Sequence, residues 1–327
     1  MSTTIGNILV NKGEKKTGFL SAVDIPVGTI DIPITVINGS RSGPILAITA
    51  GVHGCEYPGI RGAQIIANKT KASELKGALV IVHVVNVPGF KYQSAFVNPL
   101  DGVNLNRIWP GAVGSEAFYG TGSISHHIAN AVYEEVQKKA THYIDLHGGD
   151  LPEAVPHYAA CVLTGDDKVD DVSRDMMKYT LASYIRPGQP RTGHTTDSAA
   201  ELGIPNILLE AGRGGLLEKG HVDTHVDAVH NIMRYLRMIK GEPIEPSGQR
   251  TIASGVGIRA GHGGFFEHLV EPGSIVSKDQ TIGIIYDIFG RIVEEVKSPI
   301  DGVITIINFR SPKCTGDPLF SIAKLVK

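Results

Sequence analysis

Two unbroken apolar runs of strand length, Pro44–Gly51 (PILAITAG) and Ala78–Asn86 (ALVIVHVVN), constrain this chain more than anything else in it. A strand with one wet face alternates apolar and polar residues, so a strand without alternation must be covered on both faces. His142–Leu146 and Asn206–Glu210 read as two more such strands. Amphipathic helical stretches lie between them, at Gly59–Lys69, Ser123–Ala140, Asp170–Tyr184 and Glu218–Ile239. Ser123–Ala140 carries Ile124, Ile128, Val132 and Val136 at four-residue spacing, which is one apolar stripe on a helix. Strands alternating with helices predict an α/β fold with an open, twisted, mostly parallel (mixed) sheet and helices on both faces. In such a sheet the ligand crevice lies outside the carboxyl ends of the strands.

Beyond Gly241–Gly248 (GEPIEPSG) the helical period disappears. Thr251–Lys327 is a series of short β-type segments punctuated by EPGS, DIFGR, SPIDG and CTGDP. With 327 residues, the chain predicts a catalytic-sized domain over 1–245 and a small all-β barrel over 246–327. The 31 basic and 33 acidic residues nearly cancel and form no basic run, which argues against nucleic-acid and membrane partners. No basic segment followed by an apolar stretch opens the chain, and the apolar runs are too short to span a bilayer. Cys55, Cys161 and Cys314 are scattered and odd in number, so they make neither a disulfide framework nor a CxxC pair. A cytoplasmic protein is expected; assembly as a homo-oligomer is left open.

Four motifs fall at strand ends. In Gly51-Val-His53-Gly-Cys-Glu56-Tyr-Pro-Gly59, a His and a Glu three apart enter a helix and can converge on one Zn²⁺. They could equally be a strand-end His beside a helix-capping Glu. Tyr143-Ile-Asp145-Leu-His147-Gly-Gly149 delivers His147 as a third ligand, and Asp145 either orients a ligand imidazole or bonds a turn. Two His and one Glu leave a coordination position open, as catalytic zinc sites do. In Asp101-Gly-Val-Asn104-Leu-Asn106-Arg107, the guanidinium can grip a carboxylate with Asn106 assisting, or the segment is a polar turn. Glu210, closing an apolar strand before Ala-Gly-Arg213, can activate a metal-bound water or pair with Arg213. Glu201 is the next carboxylate to consider for that role.

HGCE at 53–56, NLNR at 104–107, DLHGG at 145–149 and LLEAG at 208–212, in this order, resemble the zinc carboxypeptidase superfamily. More narrowly they resemble its succinylglutamate desuccinylase/aspartoacylase branch, over roughly residues 30–240. The resemblance implies one zinc on His53, Glu56 and His147, a substrate carboxylate on Asn106 and Arg107, and Glu210 as general base and then acid. The activity implied is removal of an acyl group from a small N-acyl amino acid or related amide. A carboxypeptidase acting on short peptides and a non-catalytic binding protein on the same scaffold are the alternatives. A small β-domain after the catalytic one also belongs to the branch.

Members of the branch commonly carry another arginine shortly before NLNR. Phe90–Asn106 contains none, and Gln93, with Lys91 nearby, stands near that place. His221 and His225 have the i, i+4 spacing of a metal pair, but no Glu follows His221, so a solvated helix face ending in His230 is expected. His126 and His127 read as surface or partly buried helix residues, and His194 as a pocket-lining candidate. Val270–Gln280 and Ser298–Val303 resemble the halves of a biotinyl/lipoyl carrier barrel. Asp287-Ile-Phe-Gly-Arg291 replaces the carrier lysine at the tip, so a structural barrel is expected.

Overall fold

The computed structural model describes residues 2–111 and 122–326. A hairpin of β1 (Thr3–Ile5) and β2 (Ile8–Val10) precedes two long strands, β3 (Lys15–Asp24) and β4 (Thr29–Asn38). The four expected strands are β5 (Arg41–Ala50), β6 (Lys76–Val82), β7 (His142–His147) and β10 (Asn206–Arg213). Two more, β8 (Glu153–Val162) and β9 (Tyr184–Gly188), come between the last pair in the chain. The helices are α1 (Tyr57–Lys69), α2 (Val87–Tyr92), α3 (Ile124–Glu135), α4 (Asp167–Lys178), α5 (Thr195–Glu201) and α6 (Lys219–Tyr235).

The unbroken apolar strands have the cause their sequence demands. Along β5 and β6, Leu46, Ile48, Ala50, Leu79 and Ile81 enter one core, with Ile60 and Ile66 of α1 and Val229 and Ile232 of α6. Their neighbours Ala47, Val80 and Val82 enter a second core on the other face, with Ile128 and Val132 of α3. Successive side chains point to opposite faces, so a strand sandwiched between two helix layers has no position for a wet residue.

The remaining strands are β11 (Arg250–Arg259), β12 (Gly264–His268), β13 (Ile275–Val276), β14 (Thr281–Tyr286), β15 (Ile292–Lys297), β16 (Gly302–Asn308), β17 (Pro312–Lys313) and β18 (Pro318–Leu325). They fall between the expected turns, but they do not stand apart as a closed barrel. The central sheet has the order β13-β16-β18-β11-β9-β8-β10-β7-β5-β6-β4-β3, and β15-β14-β12-β17 form an antiparallel sheet of their own. The two share a core of Phe266, Ile285, Ile304, Phe320 and Ile322. The bond between the halves of the chain is direct, since β11 runs parallel to β9 and β16 also pairs with β8.

The central sheet is therefore mixed. Parallel pairing holds over β6-β5-β7-β10 and β8-β9-β11, while β8 turns antiparallel against β10 and both ends of the sheet are antiparallel. The expected Asp170–Tyr184 helix stops at Lys178; Leu181 takes a left-handed φ of 61°, and Tyr184 opens β9. No helix among the described residues is long and apolar enough to cross a membrane.

Candidate active site

Parallel register brings three strand ends to one level. Thr49 of β5 is opposite Asp145 of β7, and His147 is opposite Glu210 of β10. The chain leaves β5 through Gly51, passes His53 and enters α1 with Glu56 at its N-cap. This loop is pressed against α2. A Cβ on Gly54 would collide with the main-chain nitrogen of Phe90, which is why a glycine separates His53 from Cys55. Gly54→Ala is expected to cost about 1–3 kcal/mol and to lower metal occupancy; thermal unfolding and metal content measured together check it.

His53 Nδ1 lies 2.8 Å from Glu56 Oε1, and His147 Nδ1 lies 2.9 Å from Glu56 Oε2. The far side of each ring is committed. His147 Nε2 donates to Asp145 Oδ2 at 2.8 Å, since a carboxylate can only accept. His53 Nε2 donates to Asn104 Oδ1 at 3.2 Å, an oxygen that already accepts from the Asn106 N–H. In its neutral form each ring therefore points an Nδ1 lone pair at a carboxylate; as an imidazolium it donates there instead. Such lone pairs repel unless a cation lies among them, and the three donor groups sit within 4.8 Å of one another. Two imidazole nitrogens and one carboxylate are a zinc donor set. Asp145 is the orienting carboxylate, accepting also from Thr49 Oγ1 at 2.6 Å and from Thr195 Oγ1.

Asp145 and Glu56 favour positive charge at the same point, which a proton on His147 supplies when no metal is bound. Burial pushes the Glu56 carboxyl up, but the imidazoles of His147 and then His53 hold it at about 2. Burial opposes charge on His147, yet Asp145 and Glu56 outweigh it and raise that imidazole well above its ordinary value. Glu210 moves the other way: burial first, then Glu56, raise its carboxyl well above the usual range. Its Oε1 accepts from the Tyr158 hydroxyl at 3.4 Å, while Oε2 is buried without a partner among the described residues. Arg213 contacts Glu271 at 3.8 Å and makes no ion pair with Glu210.

A cavity of about 800 Å³ opens over this cluster, and His53, Glu56, Asn106, Arg107, His147 and Glu210 all line it. Asn106 Oδ1 accepts from the Thr195 N–H at 3.1 Å, leaving its NH₂ without a hydrogen bond among the described residues. Arg107 Nη1 donates to the Asn106 carbonyl at 2.6 Å. Asp101, in the same motif, is structural: it accepts from Ser125 N–H and Oγ at the start of α3.

Other residues of the cavity were not legible beforehand. Gln93 and Lys91 do not line it; both are exposed on α2 and its cap. Arg186 of β9 and Arg191 of the loop that follows do line it. Trp109 N–H donates to the Gly193 carbonyl at 3.0 Å, and a Cβ at Gly193 (φ +91°) would collide with the Arg107 carbonyl, so this glycine lets the two arginine loops meet. Glu153, Tyr158 and the Asn104 that holds His53 were also missed. The available signal was charge within the Pro- and Gly-punctuated Arg186–His194 segment. His194 lines the cavity, its Nδ1 2.8 Å from Asp197. Glu201 is exposed and outside it. The expected solvated face at His221–His230 is wrong at His225, which is fully buried against Gly62 of α1. A second wall comes from the C-terminal strands, through Ser254, Thr305 and Ser321.

Comparison with known proteins gives consistent results. The model of the succinylglutamate desuccinylase/aspartoacylase catalytic domain matches residues 42–236. The N-alpha-acetyl-L-2,4-diaminobutyric acid deacetylase of Halomonas elongata is 26% identical over 308 residues, covering 92% of this chain and 87% of that protein. The product-bound ectoine utilization protein EutE (DoeB) from Ruegeria pomeroyi superposes with a TM-score of 0.85 at 22% identity, covering 95% of each chain. A succinylglutamate desuccinylase from a Silicibacter species superposes at 0.83 with 24% identity, again over 95% of each chain. At these identities the structural likenesses speak to the fold.

Proposed function

The chain belongs to the succinylglutamate desuccinylase/aspartoacylase family of deacylases, and from that premise we propose that it hydrolyses the amide bond of a small N-acyl amino acid, with one zinc held by His53, Glu56 and His147. The observation that carries this reading is the convergence of two Nδ1 atoms and a carboxylate beside Glu210, whose Oε2 has no partner among the described residues. Zinc bound there supplies Lewis acidity, which lowers the pKa of water and polarises an acyl carbonyl. Glu210 takes the proton of the attacking water on Oε2 and passes it to the leaving nitrogen. Tyr158, donating to Oε1, steadies that carboxylate, and Asp145 and Asn104 keep both imidazoles in the tautomer that presents Nδ1. Arg107 holds the substrate carboxylate with the Asn106 NH₂ beside it. Within the class, the 26% identity to a diaminobutyrate deacetylase favours an N-acetyl diamino acid.

Residues 1–245 carry the metal ligands and Glu210, and 246–327 supply a wall; we read these as two units of one zinc carboxypeptidase-like enzyme, the second structural. The test is a deacylation screen of zinc-loaded protein against N-acetyl amino acids, N-succinyl amino acids and short peptides. Release of acetate or succinate supports the reading, and peptide cleavage alone would replace it with a carboxypeptidase.

Arg107 supplies a narrower test. A planar guanidinium can grip a carboxylate through two parallel bonds, which lysine cannot copy. Arg107→Lys is expected to lower kcat/KM for carboxylate substrates by about ten- to a hundredfold. The corresponding carboxamide substrates should lose much less. Equal losses on acid and amide would move Arg107 to the scissile carbonyl.

A further inference from the structure

Besides Asp197, which pairs with His194, the cavity holds one carboxylate that neither the metal set nor the proton transfer uses. Glu153 opens β8, and its main chain is pinned from both sides. Its N–H donates to the Asp150 carbonyl at 2.8 Å, and its own carbonyl accepts from the Gly214 N–H at 2.8 Å. Its Cα pairs with Asn308 of β16, so the C-terminal strands also hold it in place. The side chain lines the cavity with Arg107 and Glu210. Among the described residues its carboxyl has no hydrogen-bond or ion-pair partner. Burial, then Glu56, push that carboxyl up to about 7, with His53 and Arg107 pulling weakly the other way. A half-buried carboxyl without a partner leaves a charge-assisted bond to be made by a ligand.

The cavity also holds three guanidinium groups. Arg107, Arg186 and Arg191 line it, and neither of the latter two guanidiniums has an ion-pair partner among the described residues. The cavity thus offers cationic groups for an anion and a separate carboxyl, able to pair with a cation, at the start of β8. A ligand matching both must itself carry both signs.

We propose that Glu153 recognises a free ammonium group of the substrate, so that the preferred substrate is an N-acyl diamino acid with its unacylated amine at Glu153 and its carboxylate at Arg107. The proposal rests on the deacylase reading above and makes Glu153 a specificity-determining residue. An unpaired partner in a polar site penalises the analogue that lacks the matching group, which sets the size of the effect.

The test compares N-acetyl-2,4-diaminobutyrate with N-acetylnorvaline, whose side chain has the same shape with a methyl in place of the ammonium. The parent should prefer the diamino substrate by about ten- to a hundredfold in kcat/KM, chiefly through KM. Glu153→Gln should shrink that preference to a few-fold with zinc content unchanged, and Glu153→Asp should keep part of it. Equal kcat/KM losses on both substrates in Glu153→Gln, or no preference in the parent, would overturn the proposal. Calorimetric binding of free 2,4-diaminobutyrate and norvaline to the zinc-loaded protein needs no turnover and so reads Glu153 apart from the deacylase assignment. Tighter diaminobutyrate binding that Glu153→Gln abolishes upholds the ammonium site even if no amide is cleaved. Equal or absent binding of the two amino acids rejects it even if amides are cleaved.

Discussion

Glu210→Gln is expected to lower the turnover number by a factor of about 10² to 10⁴ while zinc content and fold stay those of the parent. Glutamine keeps the volume of the side chain and can still meet the Tyr158 hydroxyl through its carbonyl oxygen, so the structural cost is small. What it loses is the capacity to accept a proton on the oxygen that has no partner among the described residues. The pH profile gives a second readout. Burial and Glu56 raise the Glu210 carboxyl, so as pH falls it takes up a proton early and loses its function as base. The parent's kcat/KM should therefore fall on the acid side, and the residual activity of the variant should lack that limb. Near-normal turnover in zinc-replete Glu210→Gln would shift the base to Glu153, the other cavity carboxyl with raised affinity for a proton.

His147→Ala should take bound zinc from about one per chain to nearly none and abolish turnover. Two remaining donors, His53 and Glu56, cannot complete a catalytic zinc site. Removing the ring also takes a buried partner from Asp145 and Glu56 at once, 2.8 and 2.9 Å away, and breaking such a buried charge network costs about 3–5 kcal/mol. The thermal readout separates the two effects. Adding zinc should raise the melting temperature of the metal-stripped parent, because a ligand that binds the folded state stabilises it. The variant should melt lower and gain nothing from zinc. Equal zinc in parent and variant by metal analysis would remove His147 from the ligand set.

How much of this was legible depends on whether the cause was local. The four central strands could be read from composition alone, because a strand buried on both faces cannot hide its apolar run. β8 could not, since Pro156, His157 and Tyr158 interrupt its pattern and one of its faces lines a polar cavity. The His225 error has the same root. An i, i+4 pair of imidazoles says nothing about which helix face is covered, and here the missing side chain of Gly62 lets α1 close over His225.

By itself the sequence determined the strand-to-helix turn that carries His53 and Glu56, the strand ends that carry His147 and Glu210, and the family pattern they form. Each depends on residues a few positions apart, so spacing and hydropathy suffice to place them. Only the tertiary structure decided which charged groups share the cavity. Arg186, Arg191 and Glu153 reach it because β9 and β8 pair beyond β10, because Gly193 lets the loop after β9 close on Arg107, and because strands from the far end of the chain finish the wall. Strand order and loop contact are set by packing between segments distant in sequence, and no local pattern encodes them.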